Sequence, residues 1–317
     1  MKAIDLAQLG WLLLLLTAAV YLGSAAMPEA EKPARAQSSS EAPLRDAVGH
    51  TPARKHYERI ASSSSYADEL LLALAEPERI VALSGQGYRS ETDAFRYGNR
   101  PLISGPGDLE RLLSLRVDLL LITHFGGQAD LARASEGGIE VFDLGDMRGL
   151  ATLEDNIVAV ATLLGDPARG ERLWRSWSQQ LRAIARDIPQ TERKDAMYVA
   201  IYANKVYGGT RGTSYNDVLT AAGLRDLAAE KYRDWPQYDP EQLLSLDPPL
   251  IVTEGGMGEQ LCHHTWLRSL RACARAQSGQ TRPYEGIFEI SRNLMGSAGL
   301  GILDAALELR ELVYPPE

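Results

Sequence analysis

Two side chains stand where chemistry could happen. His124 follows the apolar run Leu119 to Ile122, and Glu254 holds the same place after Leu250 to Val252. Each follows a threonine at the end of an expected strand. Such a group can take up a proton, hold a metal or serve as a polar wall for a ligand. The sequence contains no nucleophile elbow, no phosphate-binding P-loop, no HExxH and no CxxC, and its five histidines are scattered. Cys262-His263-His264 carries ligand atoms, but neighbours on one turn point apart, which suits a polar helix cap better than a metal centre. Gly85-Gln86-Gly87 resembles part of a dinucleotide fingerprint, yet Ser90 stands where the third glycine is required, so it reads as an eased turn. More telling is the placement of aromatics. Tyr66, Tyr88, Phe125, Tyr207, Tyr215 and Trp235 fall in turns rather than at core periodicity, and together they suit a pocket for a large, partly planar ligand. The expected ligand-binding residues are Tyr66, Gln86, Tyr88, Arg89, Ser104, His124, Phe125, Tyr207, Arg211, Trp235 and Glu254. Among these, Arg89 and Arg211 could pair with ligand carboxylates.

The elements that position these residues come in two copies. Gly107 to Gly127 and Asp239 to Gly256 both read Glu, one residue, Leu-Leu-Ser-Leu, a turn, an apolar run, Thr, then Gly-Gly. The leucine pairs suit a short helix packed by one face, and the apolar runs suit strands buried on both faces of a parallel sheet. Two copies imply two similar lobes, with ligand between the carboxyl ends of their strands. Glu110 and Glu241 stand at the start of each helix. There they either complement the helix dipole or form a two-point contact for a basic partner. Between the copies, Asp166-Pro167 caps a helix bearing Leu173, Trp174, Trp177, Leu181, Ile184 and Ile188 on one face, ended by Pro189. At 1.5 Å per residue it spans some 30 Å, the size of a strut between lobes. The expected organisation is an N-terminal lobe over 57–165, the interlobe helix over 166–189 and a C-terminal lobe over 190–317.

Composition narrows the classes further. A net charge of −9 over 317 residues leaves no basic stripe for nucleic acid. Residues 1–26 have a short apolar core and end in Ser24-Ala25-Ala26, the pattern of a secretory signal peptide, with no cysteine there for a lipid anchor. Residues 27–56 are rich in Pro, Ala, Ser and Glu and read as a disordered leader. In an oxidising compartment, Cys262 and Cys273 invite a disulfide. If Thr265 to Arg275 is helical, however, Cys273 lies roughly a dozen Å from the helix start, beyond the ~7 Å Cα limit unless the preceding loop folds back.

Several segments resemble one family. Arg59-Ile60 with Glu69-Leu70, Asp108-Leu-Glu-Arg-Leu, Val117-Asp118-Leu on to Gly127, and above all Trp235-Pro-Gln-Tyr-Asp-Pro-Glu-Gln-Leu-Leu are similar to periplasmic substrate-binding proteins of ABC importers. The group in question has a helical lobe linker and carries cobalamin, ferric siderophores and haem. The resemblance runs from Arg59 to the C-terminus and is greatest to cobalamin binders. It implies an α/β fold of two doubly wound lobes joined by a long rigid helix, the class III periplasmic binding protein. It also implies a monomer without cofactor or catalytic activity, a bound cobalt or iron chelate, and docking of Glu110 and Glu241 onto arginines of a permease with ATPase subunits. The cleft departs from the pattern. Cobalamin binders have aromatics at the positions of Ser104 and His124, while Tyr207 and Trp235 keep theirs. The axial tyrosine of haem carriers is expected near Ser104. Two other readings use His124 with Glu254: a tetrapyrrole or metal chelatase with both as proton acceptors, and a free-metal receptor with both as ligands.

Overall fold

Strand residues buried on both faces build the first sheet. The chain forms β1 (Ile60–Ser62), α1 (Ser65–Leu74), β2 (Ile80–Ala82), α2 (Leu109–Ser114), β3 (Leu119–Ile122), α3 (Gln128–Glu136), β4 (Glu140–Asp143) and α4 (Leu150–Leu163). The structure, a computed structural model, describes residues 43–85, 97–124, 128–276 and 282–315. The strands lie parallel in the order β2-β1-β3-β4. Leu120 and Ile122 face a cluster with Leu112 of α2 and Ala134 of α3, while Leu119 and Leu121 face one that includes Leu70 of α1 and Ile157 of α4. Period-two alternation in an all-apolar strand therefore supplies two helix-covered faces.

The second sheet repeats this with a twist of its own. After α5 (Pro167–Ala183) come β5 (Asp195–Tyr202), β6 (Lys205–Gly208), α6 (Ser214–Ala221), β7 (Arg225–Asp226), β8 (Gln237–Tyr238), α7 (Pro240–Leu246), β9 (Leu250–Glu254), α8 (Gly258–His263), β10 (Ile287–Ile290), α9 (Arg292–Met295) and α10 (Ile302–Val313). Strands β10, β9 and β5 run parallel. Strand β6 then adds antiparallel to β5, and β8 antiparallel to β6. Ala203 and Asn204, at φ +48° and +61°, close the β5–β6 hairpin in the left-handed region that a two-residue primed turn requires. The parallel strands are those expected, and this tight turn, which sends the chain straight back, adds the antiparallel edge.

The two copies of the repeated pattern take equivalent places. Helix α2 leads into β3 and α7 into β9, and each strand is interior to its sheet. In each helix the first leucine of the pair, Leu112 or Leu243, is fully buried, and the second, Leu113 or Leu244, stays exposed. Helix α7 also carries a capping box, in which Asp239 Oδ1 accepts from the Gln242 N–H and Gln242 Oε1 accepts from the Asp239 N–H.

Three expected boundaries are corrected. Helix α5 ends at Ala183 rather than near Ile188, since the N–H groups of Ile184, Arg186 and Ile188 donate three residues back instead of four. Residues 44–56, expected as disordered leader, are tied to the edge strand β4. The Ala47 N–H donates to the Asp143 carbonyl, and Glu140 accepts from the Ala53 N–H and pairs with His50. The helix expected over Thr265 to Arg275 is replaced by two short 3-10 turns, Leu267–Ser269 and Arg271–Cys273. Residues Leu44–Glu317 form one compact unit, and a single hydrophobic cluster runs from Ile60 and Leu70 through Trp177 and Leu181 to Val199 and Ile251.

Candidate functional site

The C-terminal end of β5 and the hairpin after it form the wall of a cavity of about 320 Å³. Its lining is Tyr198, Tyr202, Ala203, Tyr207, Gly208, Tyr215 and Trp235. Tyr198 stacks on Tyr215 with ring centroids 3.9 Å apart, and Tyr202 lies tilted against Tyr207 at 6.3 Å. The close stacking depends on backbone: a Cβ at Gly209 would overlap the Tyr215 ring. Trp235, 46% exposed, stands at the rim with the Arg148 guanidinium 5.4 Å from its ring centroid. Arg148 is itself paired with Asp234.

Beneath these rings lies Glu254, only 3% exposed. Its Oε1 accepts from the hydroxyls of Tyr198 (3.0 Å) and Tyr202, and its Oε2 pairs with Arg292 at 2.9 Å. Burial first of all pushes the Tyr198 and Tyr202 hydroxyls well above the usual phenol range, helped for Tyr198 by Tyr215 and then Glu254, and for Tyr202 by its bond to Glu254. Both phenols therefore stay protonated as donors to Glu254, which supports the cavity from below and is not a wall of it. This corrects its expected place among the ligand contacts.

His124 belongs elsewhere. It lines a second cavity of about 370 Å³ with Asp46, His50, Leu131, Val141 and Asp143, at the ends of β3 and β4. Its backbone N–H donates to Asp143 Oδ1 (3.0 Å), and its ring nitrogen Nδ1 lies 3.6 Å from Asp143 Oδ2. Glu254 lines neither cavity, and its carboxylate is instead taken up by Tyr198, Tyr202 and Arg292. Among the described residues no group of three or more His, Cys, Asp and Glu is placed to hold a metal ion.

Tyr66 is also corrected. It lies in the first turn of α1, 2% exposed, and its hydroxyl accepts from Asn156 Nδ2 at 3.0 Å, so it belongs to the core. Ser104 is exposed in the first lobe and Arg211 in the loop ahead of α6, where the Arg211 carbonyl accepts from the Asp234 N–H. Gln86, Tyr88, Arg89 and Phe125 lie outside the described residues. Of the expected pocket aromatics the structure thus brings together Tyr207, Tyr215 and Trp235. It adds Tyr198 and Tyr202, which sit in the continuous apolar run of β5 with nothing in their spacing to separate them from core.

The sequence profile of the periplasmic binding protein family matches residues 60–275. The chain belongs to that family. Members similar to it include an uncharacterized ABC transporter substrate-binding lipoprotein, YvrC, of Bacillus subtilis strain 168, 22% identical over 95% of each chain. A vitamin B12-binding protein of Vibrio parahaemolyticus is 24% identical over 64% of this chain and 73% of its own. Among solved structures, the apo periplasmic heme-binding protein RhuT of Roseiflexus sp. RS-1 superimposes with a TM-score of 0.64 at 21% identity, covering 80% of this chain and 98% of that one. The periplasmic binding protein fold that the resemblance implied is thereby established.

Proposed function

We propose that this periplasmic binding protein captures a metal chelate of the cobalamin or iron-chelate class outside the cytoplasmic membrane and hands it to an ABC permease, performing no chemistry itself. The observation that carries the ligand class is the cavity of stacked tyrosines closed by Trp235, which offers flat apolar area to a partly planar molecule. The names of relatives that bind vitamin B12 and heme support the same class. Visible absorbance and native mass of the protein, purified after growth with cobalamin, ferric siderophores and haem, test this reading. A coloured chelate at one per chain is expected. A colourless protein whose melting temperature none of the three raises would overturn it.

Delivery is proposed to use the two short repeat helices. Glu110 and Leu113 on α2, and Glu241 and Leu244 on α7, are exposed at i and i+3, on the same side of each helix. An acidic side chain beside an exposed leucine, repeated in both lobes, suits two matching contacts with basic patches of a permease.

A further inference from the structure

An apolar slot could be built from leucine and valine, yet among the described residues this cavity is lined by five aromatic rings, those of Tyr198, Tyr202, Tyr207, Tyr215 and Trp235, and by no basic side chain. Aromatic faces carry the negative lobe of the ring quadrupole, so converging faces favour a positive charge. Two features strengthen this. Tyr198 and Tyr202 donate their hydroxyl protons to the Glu254 carboxylate, which makes both phenols richer in electrons than free ones. The Trp235 ring already accepts a cation, the Arg148 guanidinium at 5.4 Å, whose charge is balanced by Asp234. Three arginines work against a cation: Arg211, exposed in the loop ahead of α6, Arg148 on the Trp235 ring, and Arg292, which pairs with Glu254.

We infer that the cavity is an aromatic box for a positively charged group, so that the preferred chelate carries a cationic arm or a net positive charge. This rests on the chelate reading above and narrows its substrate class.

The test uses the full chain and two iron porphyrins with the same planar core, one bearing four N-methylpyridinium arms and the other four sulfonatophenyl arms. Isothermal titration calorimetry reports binding at high salt, where the general attraction of a protein with net charge −9 for cations is screened. The cationic porphyrin is expected to bind about tenfold or more tighter than the anionic one. Choline should compete with it, and the neutral isostere 3,3-dimethylbutan-1-ol should not. Equal or tighter binding of the anionic porphyrin overturns the inference and leaves the chelate reading standing. Binding of choline without either porphyrin overturns the chelate reading and keeps the box. Binding of none of them overturns both. Trp235→Leu keeps apolar bulk but removes the ring face at an exposed position, so the fold should persist by circular dichroism while the preference for the cation falls. If that variant weakens both porphyrins equally, shape rather than charge is being read, and the inference fails.

Discussion

Asp217, in the first turn of α6, reaches the N-terminus of α4 in the other lobe. Its Oδ2 accepts from the Leu150 N–H at 2.7 Å, and it does so because residue 149, the N-cap, is a glycine with no side chain to offer. Burial raises the Asp217 pKa from 3.8 to about 6, against the opposing pull of the Leu150 hydrogen bond. The sign of the consequence is definite. The folded protein holds this proton more tightly than the unfolded chain, so stability is greatest below pH 3.8 as far as this group is concerned, and falls as pH rises to about 6. In urea titrations between pH 4 and 7, wild type should lose stability relative to Asp217→Asn as the pH climbs; a difference constant across that range would mean the group is not perturbed. Gly149 makes the approach possible. It sits at φ +60°, and an added Cβ would lie 2.8 Å from the Ser214 Cα and press on the Asp217 carboxylate. Gly149→Ala should therefore cost about 2–4 kcal/mol, read as a lowered denaturation midpoint. A midpoint within error of wild type would show that the joint can relax.

At the scale of elements, the segment after α8 shows what pattern alone could and could not reveal. Cys262 and Cys273 form a disulfide with Cα atoms 5.4 Å apart across 11 residues. Chain-entropy arguments for a loop of that size give about 3 kcal/mol. Cys262→Ala with Cys273→Ala should lose stability of this order, and a reductant should lower the melting temperature of wild type but not of the double variant. The bridge forms because Leu270 is extended at ψ +146° and breaks the expected helix, while Arg271 is held by Asp247, 24 residues earlier, through its N–H at 2.9 Å and an ion pair at 2.6 Å. No proline or glycine marks that break, and a partner so far away leaves no trace in local periodicity. The repeated pattern was legible for the opposite reason: helix, turn, buried strand and threonine are all local, and both copies fold as expected. Site residues divide in the same way. Tyr207 and Trp235 stand in polar surroundings where an aromatic needs a reason, and they line the cavity. Tyr202 ends an apolar strand, and only the turn at Ala203 and Asn204 brings it out. Tyr66, expected in a turn, is already inside the buried face of α1, because Ser64 caps that helix.

The whole molecule is held as a unit by α5 and what packs on it. Gly170 lets α5 approach α4 so closely that an added Cβ would lie 2.6 Å from that of Ala161. Trp177 Nε1 donates to the Leu300 carbonyl at 3.0 Å, and Glu69 of α1 accepts from Ser297 Oγ and the Gly301 N–H, each at 3.1 Å. A joint made of packed helix and buried hydrogen bonds allows small shear rather than wide hinge motion. Small-angle scattering should therefore change little when ligand binds, and a large fall in the radius of gyration would contradict this. With little closure to signal occupancy, recognition by the permease must depend on surface contacts that exist before binding, and the two repeat helices supply a matched pair. Glu110→Ala with Glu241→Ala should leave ligand affinity unchanged, because both side chains lie on helices whose residues line neither of the two site cavities. Uptake should fall about tenfold or more if, as proposed, each charge meets a separate basic patch, because losing both removes orientation as well as attraction. Leu113→Ser with Leu244→Ser should have the same selective effect without altering charge. Uptake at the wild-type rate in both double variants would show that the permease reads some other face of the protein.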